Sequence, residues 1–331
     1  MIGGSLLGSA GYKLLGGLYL GWGIGANDSA NIFGTAVATN SIRFRTAVIL
    51  IAIFVIVGSM IEGPNLFDEM KFSEVCSSNM ALAATLAAAV TITIITYLSI
   101  PTSTSQAAVG AFMGIAVASG GLGAADWSKF LKMLACWVLN PIVSVFLCFM
   151  LMKLLGYLLS RFVRSGHARN RLIKIGLIVF GCYGAYTLGA NNVVVTTAPY
   201  YHAGMFGAVG DRSAAFWAAA LGGVSIAIGA LTYSRRVMTT IGMKITPLEP
   251  FSALVVVLTH SLALHFFTQL DVPVSSSQAV VGAVIGVGLY HGAETVNKKT
   301  LGKIFIGWLA TPLIAAALVW PISLIIMRVI G

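Results

Sequence analysis

The segment PTSTSQAAVGAFMGIAV at 101–117 returns as PVSSSQAVVGAVIGVGL at 273–289, identical at nine of seventeen positions. GANDS at 25–29 returns as GANNV at 189–193, and Lys132, Trp137 and Pro141 return as Lys303, Trp308 and Pro312. The pairs keep their order, at offsets of 172, 164 and 171 residues. One unit is therefore written twice, and any fold must carry two copies of the same two polar motifs. Paired polar interruptions in corresponding apolar segments are the pattern of transporters built from internal repeats.

The surroundings of the motifs fix the solvent. The chain is 58% hydrophobic and 9% charged, with mean hydropathy +0.92, against about 25% charged residues in a soluble domain. Apolar runs at 46–61, 79–98, 213–233 and 304–327 approach or exceed the roughly 20 residues a helix needs to cross a bilayer. The expected class is an all-α polytopic membrane protein, with the lipid bilayer as its partner. The net charge of +10 does not point to nucleic acid: no basic stretch is interleaved with aromatics, and the basic residues sit in short loops, as on a cytoplasmic face. Cys76, Cys136, Cys148 and Cys182 show no disulfide or metal-ligand spacing and read as small buried side chains. The N-terminus lacks the basic region and cleavage site of a removable signal peptide.

Charge in the loops sets an expected topology. Loop 62–78 holds Glu62, Asp68, Glu69 and Glu74 against Lys71, whereas its counterpart 235–249 holds Arg235, Arg236 and Lys244 against Glu249. Equivalent loops of opposite bias belong on opposite faces. The reading is a membrane repeat at 1–160, a basic cytoplasmic connector at 161–174 and an inverted repeat at 175–331, with about 10–12 membrane segments. Five crossings per copy is the simplest count; short, motif-bearing half-helices raise it. Both termini then lie outside a cell (inner) membrane.

GANDSANIFGTA at 25–36 interrupts the first apolar stretch. Gly21, Gly23 and Gly25 weaken a helix there, and Asn27 and Asp28 are good N-cap residues, so a broken helix with a half-helix starting near Ser29 is expected. Asp28 is the only carboxylate in the expected core, at a cost of about 2.5–3.5 kcal/mol. Merely capping a half-helix is the plainer role for it; ligating a cation, with Asn27, Asn31 and backbone carbonyls adding oxygens, is the functional one. In PTSTSQ, Pro101 stops the preceding helix, Ser103, Thr104 and Ser105 supply hydroxyls, and Gln106 an amide. A hydroxyl-lined helix start is an anion site without a fixed positive charge; Ser275, Ser276, Ser277 and Gln278 supply a second. A bound cation beside such a site makes the anion's desolvation tolerable, which is the physical logic of symport.

With these residues the chain resembles the inorganic phosphate transporter family (PiT), whose signature is close to G-A-N-D-V-A-N-A near the start of each half, with a P-x-S-x-S/T-x motif further on. The resemblance spans nearly the whole chain. It implies an inverted-repeat fold and symport of inorganic phosphate with sodium or protons as coupling ion, with no other cofactor. It places cation ligands on Asn27, Asp28, Asn31, Asn191 and Asn192, with Gln106 and Gln278 assigned beside them, and anion ligands on Ser103, Thr104, Ser105, Ser275, Ser276 and Ser277. One departure stands out: Asn192 occupies the position where the second half of the family carries Asp, which bears on the second cation site and the stoichiometry.

Sulfate or another tetrahedral oxyanion fits the hydroxyls as an alternative cargo, and an anion channel fits them less well, since the site is duplicated and acidic. An enzyme is not expected: no nucleophile–base pair or His/Asp metal cluster is visible, nor any ATP-binding loop. His260 and His265 read as interhelical hydrogen-bonding residues ahead of a proton relay. Tyr200, Tyr201 and His202 are candidates for an outer vestibule. Lys153 reads as snorkelling to the interface, and Trp127, Trp137, Trp308 and Trp320 as anchors or packing. A homodimer is left open.

Overall fold

The computed structural model describes residues 11–71, 77–97, 102–238, 248–292 and 297–330. Glu74, Cys76, Pro101 and Lys244 lie outside the described residues. The first half carries α1 (Leu15–Ala38), α2 (Phe44–Ile61), α3 (Ser78–Tyr97), α4 (Thr104–Gly120) and α5 (Trp127–Phe162). The second carries α6 (Gly166–Asn192), α7 (Val194–His202), α8 (Arg212–Tyr233), α9 (Pro250–Thr268), α10 (Ser276–His291) and α11 (Lys298–Ile330). Among the described residues, seven helical spans are long and apolar enough to cross a membrane. In hydrocarbon every backbone group must be satisfied within its own segment, which a helix does. The ends use polar caps: Ser103, Asp126, Ser165, Asp211 and Ser275 each accept a first-turn backbone N–H. The expected connector 161–174 is helical apart from residues 163–165.

The halves interlock instead of standing side by side. Helix α1 packs on α8 and α2 on α6; α4 packs on α11 and α10 on α5. Glycines permit the close approach, again in matched pairs. A Cβ on Gly25 would stand 1.8 Å from the Ile226 carbonyl, and one on Gly189 2.1 Å from that of Val55. A Cβ on Gly110 would meet the Pro312 carbonyl at 2.3 Å, and one on Gly282 the Pro141 carbonyl at 2.5 Å. Small residues at such crossings let backbones touch where no hydrophobic force drives helices together.

These contacts overturn one expectation. Helix α1 runs unbroken through Asn27 and Asp28. Gly21 and Gly25 are packing sites against α8 and Gly23 faces Ile92 of α3, and Ser29 donates to the Gly25 carbonyl at 2.5 Å along an intact helix. Asn27 bonds Thr96 on α3, and Asp28 accepts from Thr104 and Asn192 on other helices as well as from Asn31 on its own, so neither is spent on capping. In the second half a single residue, Val193, separates α6, which ends at Asn192, from α7, which starts at Val194; its backbone is helical (φ −61°, ψ −30°) and donates to the Gly189 carbonyl, so the two run on as one span, Gly166–His202.

The ends of the helices differ in charge. Glu62, at the end of α2, accepts from Tyr186 Oη at 2.8 Å and lies 3.3 Å from His265 near the end of α9. Glu69 lies 3.7 Å from Lys132 at the start of α5. At the starts of α2 and α9, Arg235 stands over the Phe44 ring at 5.6 Å and Arg169 over Phe251 at 5.8 Å. Lys153 lies over the Phe149 ring at 4.6 Å.

Candidate functional site

Asp28 is 1% exposed, in the middle of α1. Its Oδ2 accepts from Thr104 Oγ1 at 2.5 Å and from Asn192 Nδ2 at 3.0 Å, and its Oδ1 from Asn31 Nδ2 at 3.4 Å. One carboxylate therefore joins the first motif, the start of α4 and the second-half motif. Asn31 also donates to Ser276 Oγ at 3.0 Å, and His260 Nε2 lies 2.8 Å from that oxygen. Ser105 Oγ is within 3.3 Å of Asn192 Oδ1 and 3.2 Å of the Val274 carbonyl. The starts of α4 and α10 are thus drawn together around Asp28 and Asn192, although the chain separates them by about one half of its length.

The helix starts are built alike. Ser103 accepts from the Gln106 amide N–H at 3.2 Å and Ser275 from that of Gln278 at 3.2 Å, which leaves other first-turn N–H groups for a ligand. Ser275 and Ser277 hydroxyls lie 3.1 Å apart. The amide oxygens of Asn27 and Asn31, flanking Asp28 on α1, are buried with no hydrogen-bond partner. Oxygens unpartnered beside a carboxylate are what a hard cation coordinates, so the donor set suits a sodium ion travelling as cargo.

The profile of the Phosphate transporter family matches residues 24–319, most of the chain and both halves of this network. The chain belongs to the phosphate transporter family. It is 31% identical to a putative phosphate permease of Methanocaldococcus jannaschii, over 92% of this chain and 93% of that protein. It is 26% identical to a putative phosphate permease of Pyrococcus furiosus, over 95% of each. A solved structure titled "The sodium-dependent phosphate transporter" superposes with a TM-score of 0.85 at 23% identity, over 97% of this chain and 99% of that one, so the two share a fold. Family membership makes the chain a multi-pass membrane transporter and not an enzyme.

Within this family member the expected site residues divide. Asp28, Asn31, Thr104, Ser105, Asn191, Asn192 and Ser276 share the hydrogen-bonded cluster directly or through one neighbour, whereas Asn27, next to Asp28 on α1, bonds Thr96. Ser103 and Ser275 cap the two helices, with Ser277 beside Ser275. Gln106 and Gln278 stand elsewhere: both line an otherwise apolar cavity of about 380 Å³ walled by Trp137, Trp308 and other side chains of α5 and α11. Tyr200 leaves the vestibule reading, since it is fully buried and its hydroxyl accepts from the Gly17 N–H at 3.1 Å. His202 Nε2 lies 2.8 Å from the Phe67 carbonyl.

Thr96 and Thr268 escaped the reading of the sequence. Asn27 Nδ2 donates to Thr96 Oγ1 at 2.9 Å, and Thr268 Oγ1 donates to Asn191 Oδ1 at 3.3 Å. The two threonines are 172 residues apart, the offset that relates the serine motifs, and that coincidence was the available signal. Asn140 was also missed; it donates to the Ser275 carbonyl at 2.8 Å.

Proposed function

We propose that this chain carries inorganic phosphate across the cell membrane together with sodium, by alternating access. The observation that carries the reading is Asp28, the one buried carboxylate among the described residues, bonded in one network to Thr104 at one hydroxyl-lined helix start and, through Asn31, to Ser276 at the other. The cation sits against Asp28 with the free oxygens of Asn27 and Asn31, and its charge offsets that of the anion. The anion takes donors from the starts of α4 and α10, where hydroxyls and first-turn N–H groups converge. Every member of the network is buried, which matches a cargo site closed to both faces between its two open forms.

The two halves, 1–160 and 175–331, act as inverted repeats. The matched packing of α1 on α8 and α2 on α6 supports this, as does the segregation of Glu62 and Glu69 from Arg169 and Arg235. Acidic ends then face outward, the basic ends face the cytoplasm, and both termini lie outside.

Purified protein in liposomes provides the test, with sodium and proton gradients imposed separately and labelled phosphate or sulfate outside. Sodium-driven phosphate accumulation is expected. Accumulation of sulfate alone overturns the cargo, a response to the proton gradient alone overturns the coupling ion, and flux that never exceeds equilibrium makes the protein a channel.

A further inference from the structure

Two hydroxyls occupy equivalent places at the starts of α4 and α10: Thr104 and Ser276, 172 residues apart. Their protons are used differently. Thr104 spends its proton on Asp28. Ser276 Oγ accepts from Asn31 Nδ2 at 3.0 Å and faces His260 Nε2 at 2.8 Å.

The tautomer of His260 decides what Ser276 can offer. His260 is fully buried, and its Nδ1 has no hydrogen-bond partner. A proton on Nδ1 would bury an unsatisfied N–H donor, which folded proteins rarely tolerate; a lone pair left there costs less. The proton therefore belongs on Nε2 and is donated to Ser276. A serine hydroxyl has two acceptor lone pairs and one proton. Asn31 and His260 fill both lone pairs, and among the described residues no acceptor takes the proton.

We propose that His260 is a positioning residue for the anion site: with Asn31 it saturates the Ser276 oxygen and turns the Ser276 proton onto the transported oxyanion. A donor held this way needs no reorganisation when the anion arrives. The same bonds join the two cargoes. A cation on the free Oδ1 of Asn31 polarises that amide, strengthens its N–H bond to Ser276 and so sharpens the Ser276 donor, as hydrogen bonds in a chain reinforce one another. In the first half the matching position on α3 is Ala88, whose side chain has no polar group.

The inference rests on reading the helix starts as the anion site, and the experiment separates the two. Sodium-driven phosphate uptake is measured in proteoliposomes for the unsubstituted protein, His260→Met, His260→Gln, Ser276→Ala and the double variant His260→Met/Ser276→Ala. No uptake by the unsubstituted protein sinks the transport reading itself. With uptake present, His260→Met should raise the phosphate KM about tenfold with Vmax within about twofold, the loss of one oriented bond to a charged group. His260→Gln, whose amide nitrogen falls near the place of Nε2, should stay within about twofold of the parent KM. The double variant should match Ser276→Ala alone, because His260 acts through that hydroxyl. An unchanged KM in His260→Met, or additive effects in the double variant, overturns the assignment. If His260→Met does not reach the membrane, His260→Gln and His260→Asn carry the test: Asn is one methylene too short, and equal KM values for the two overturn the proposal.

Discussion

The two halves of the molecule differ most where they are most alike. Asn27 pairs with Thr96 and Asn191 with Thr268, residue for matched residue. One position on, Asp28 faces Asn192 across the centre, 3.0 Å from oxygen to nitrogen. The first half contributes a charge and the second an amide that donates to it. Two carboxylates that close would repel, and a shared proton or a second cation would be needed to hold them. With Asn192 the pair is stable as it stands, and the polarity spreads outward: Thr104 serves the carboxylate, while Ser276 accepts from Asn31 and lies beside His260. On the proposed reading, a few unmatched residues divide the duplicated scaffold into a cation side and an anion side.

The largest expected effect comes from erasing that difference. Asp28→Asn should lower sodium-driven phosphate uptake about 100-fold or more while the purified protein keeps its elution volume and helical content. The estimate follows from removing a buried charge whose bonded partners are left unpaired. Uptake above a third of the parent rate would reduce Asp28 to a packing residue.

A second substitution pair asks whether the scaffold is as symmetric as its site is not. Gly25→Ala and Gly189→Ala place methyl groups 1.8 Å and 2.1 Å from carbonyl oxygens. Each should cost about 1–3 kcal/mol of stability, read as a matched fall in thermal unfolding midpoint. If only one of them destabilises, the halves do not share their packing load.

Thr104→Ala and Ser276→Ala probe the division directly. The first should raise the sodium concentration for half-maximal uptake about tenfold and move the phosphate KM less; the second should do the reverse. Identical patterns in both variants would dissolve the distinction between a cation side and an anion side.

The smallest shift is expected from Asn192→Asp, which restores a carboxylate opposite Asp28. Sodium affinity should rise a few-fold, or one further charge should move per cycle, a change worth about 2.3 kcal/mol per 100 mV. Reversal potentials of the parent and variant measure it, and identical values with identical sodium affinity would remove position 192 from the cation site.

Much of this was open to reading in the chain. The repeated serine motif announced two helix starts, and both are N-capped helices. The lone acidic residue in an apolar stretch marked Asp28 as the centre. The break expected at Asn27 and Asp28 was misplaced, because cap propensity is a local preference and these side chains had better partners 69 and 76 residues away. Gln106 and Gln278 were grouped with the cluster because they adjoin its serines in sequence, but a residue one step along a helix points about 100° away. Thr96 and Thr268 went unnoticed because a threonine within an apolar run usually bonds its own helix.

The sequence by itself determined the duplication, the membrane as solvent, the inventory of polar groups and the mismatch of Asp28 with Asn192 between the two copies. Each is a property of residue order and type, visible without a partner. The tertiary structure alone decided that α1 stays whole, that Asp28 meets Asn192, and that Thr104 gives its proton to a carboxylate while Ser276 accepts from Asn31. Those outcomes depend on which groups meet across 76, 164 and 245 residues of chain, and the direction of a hydrogen bond is settled by the pair that forms it.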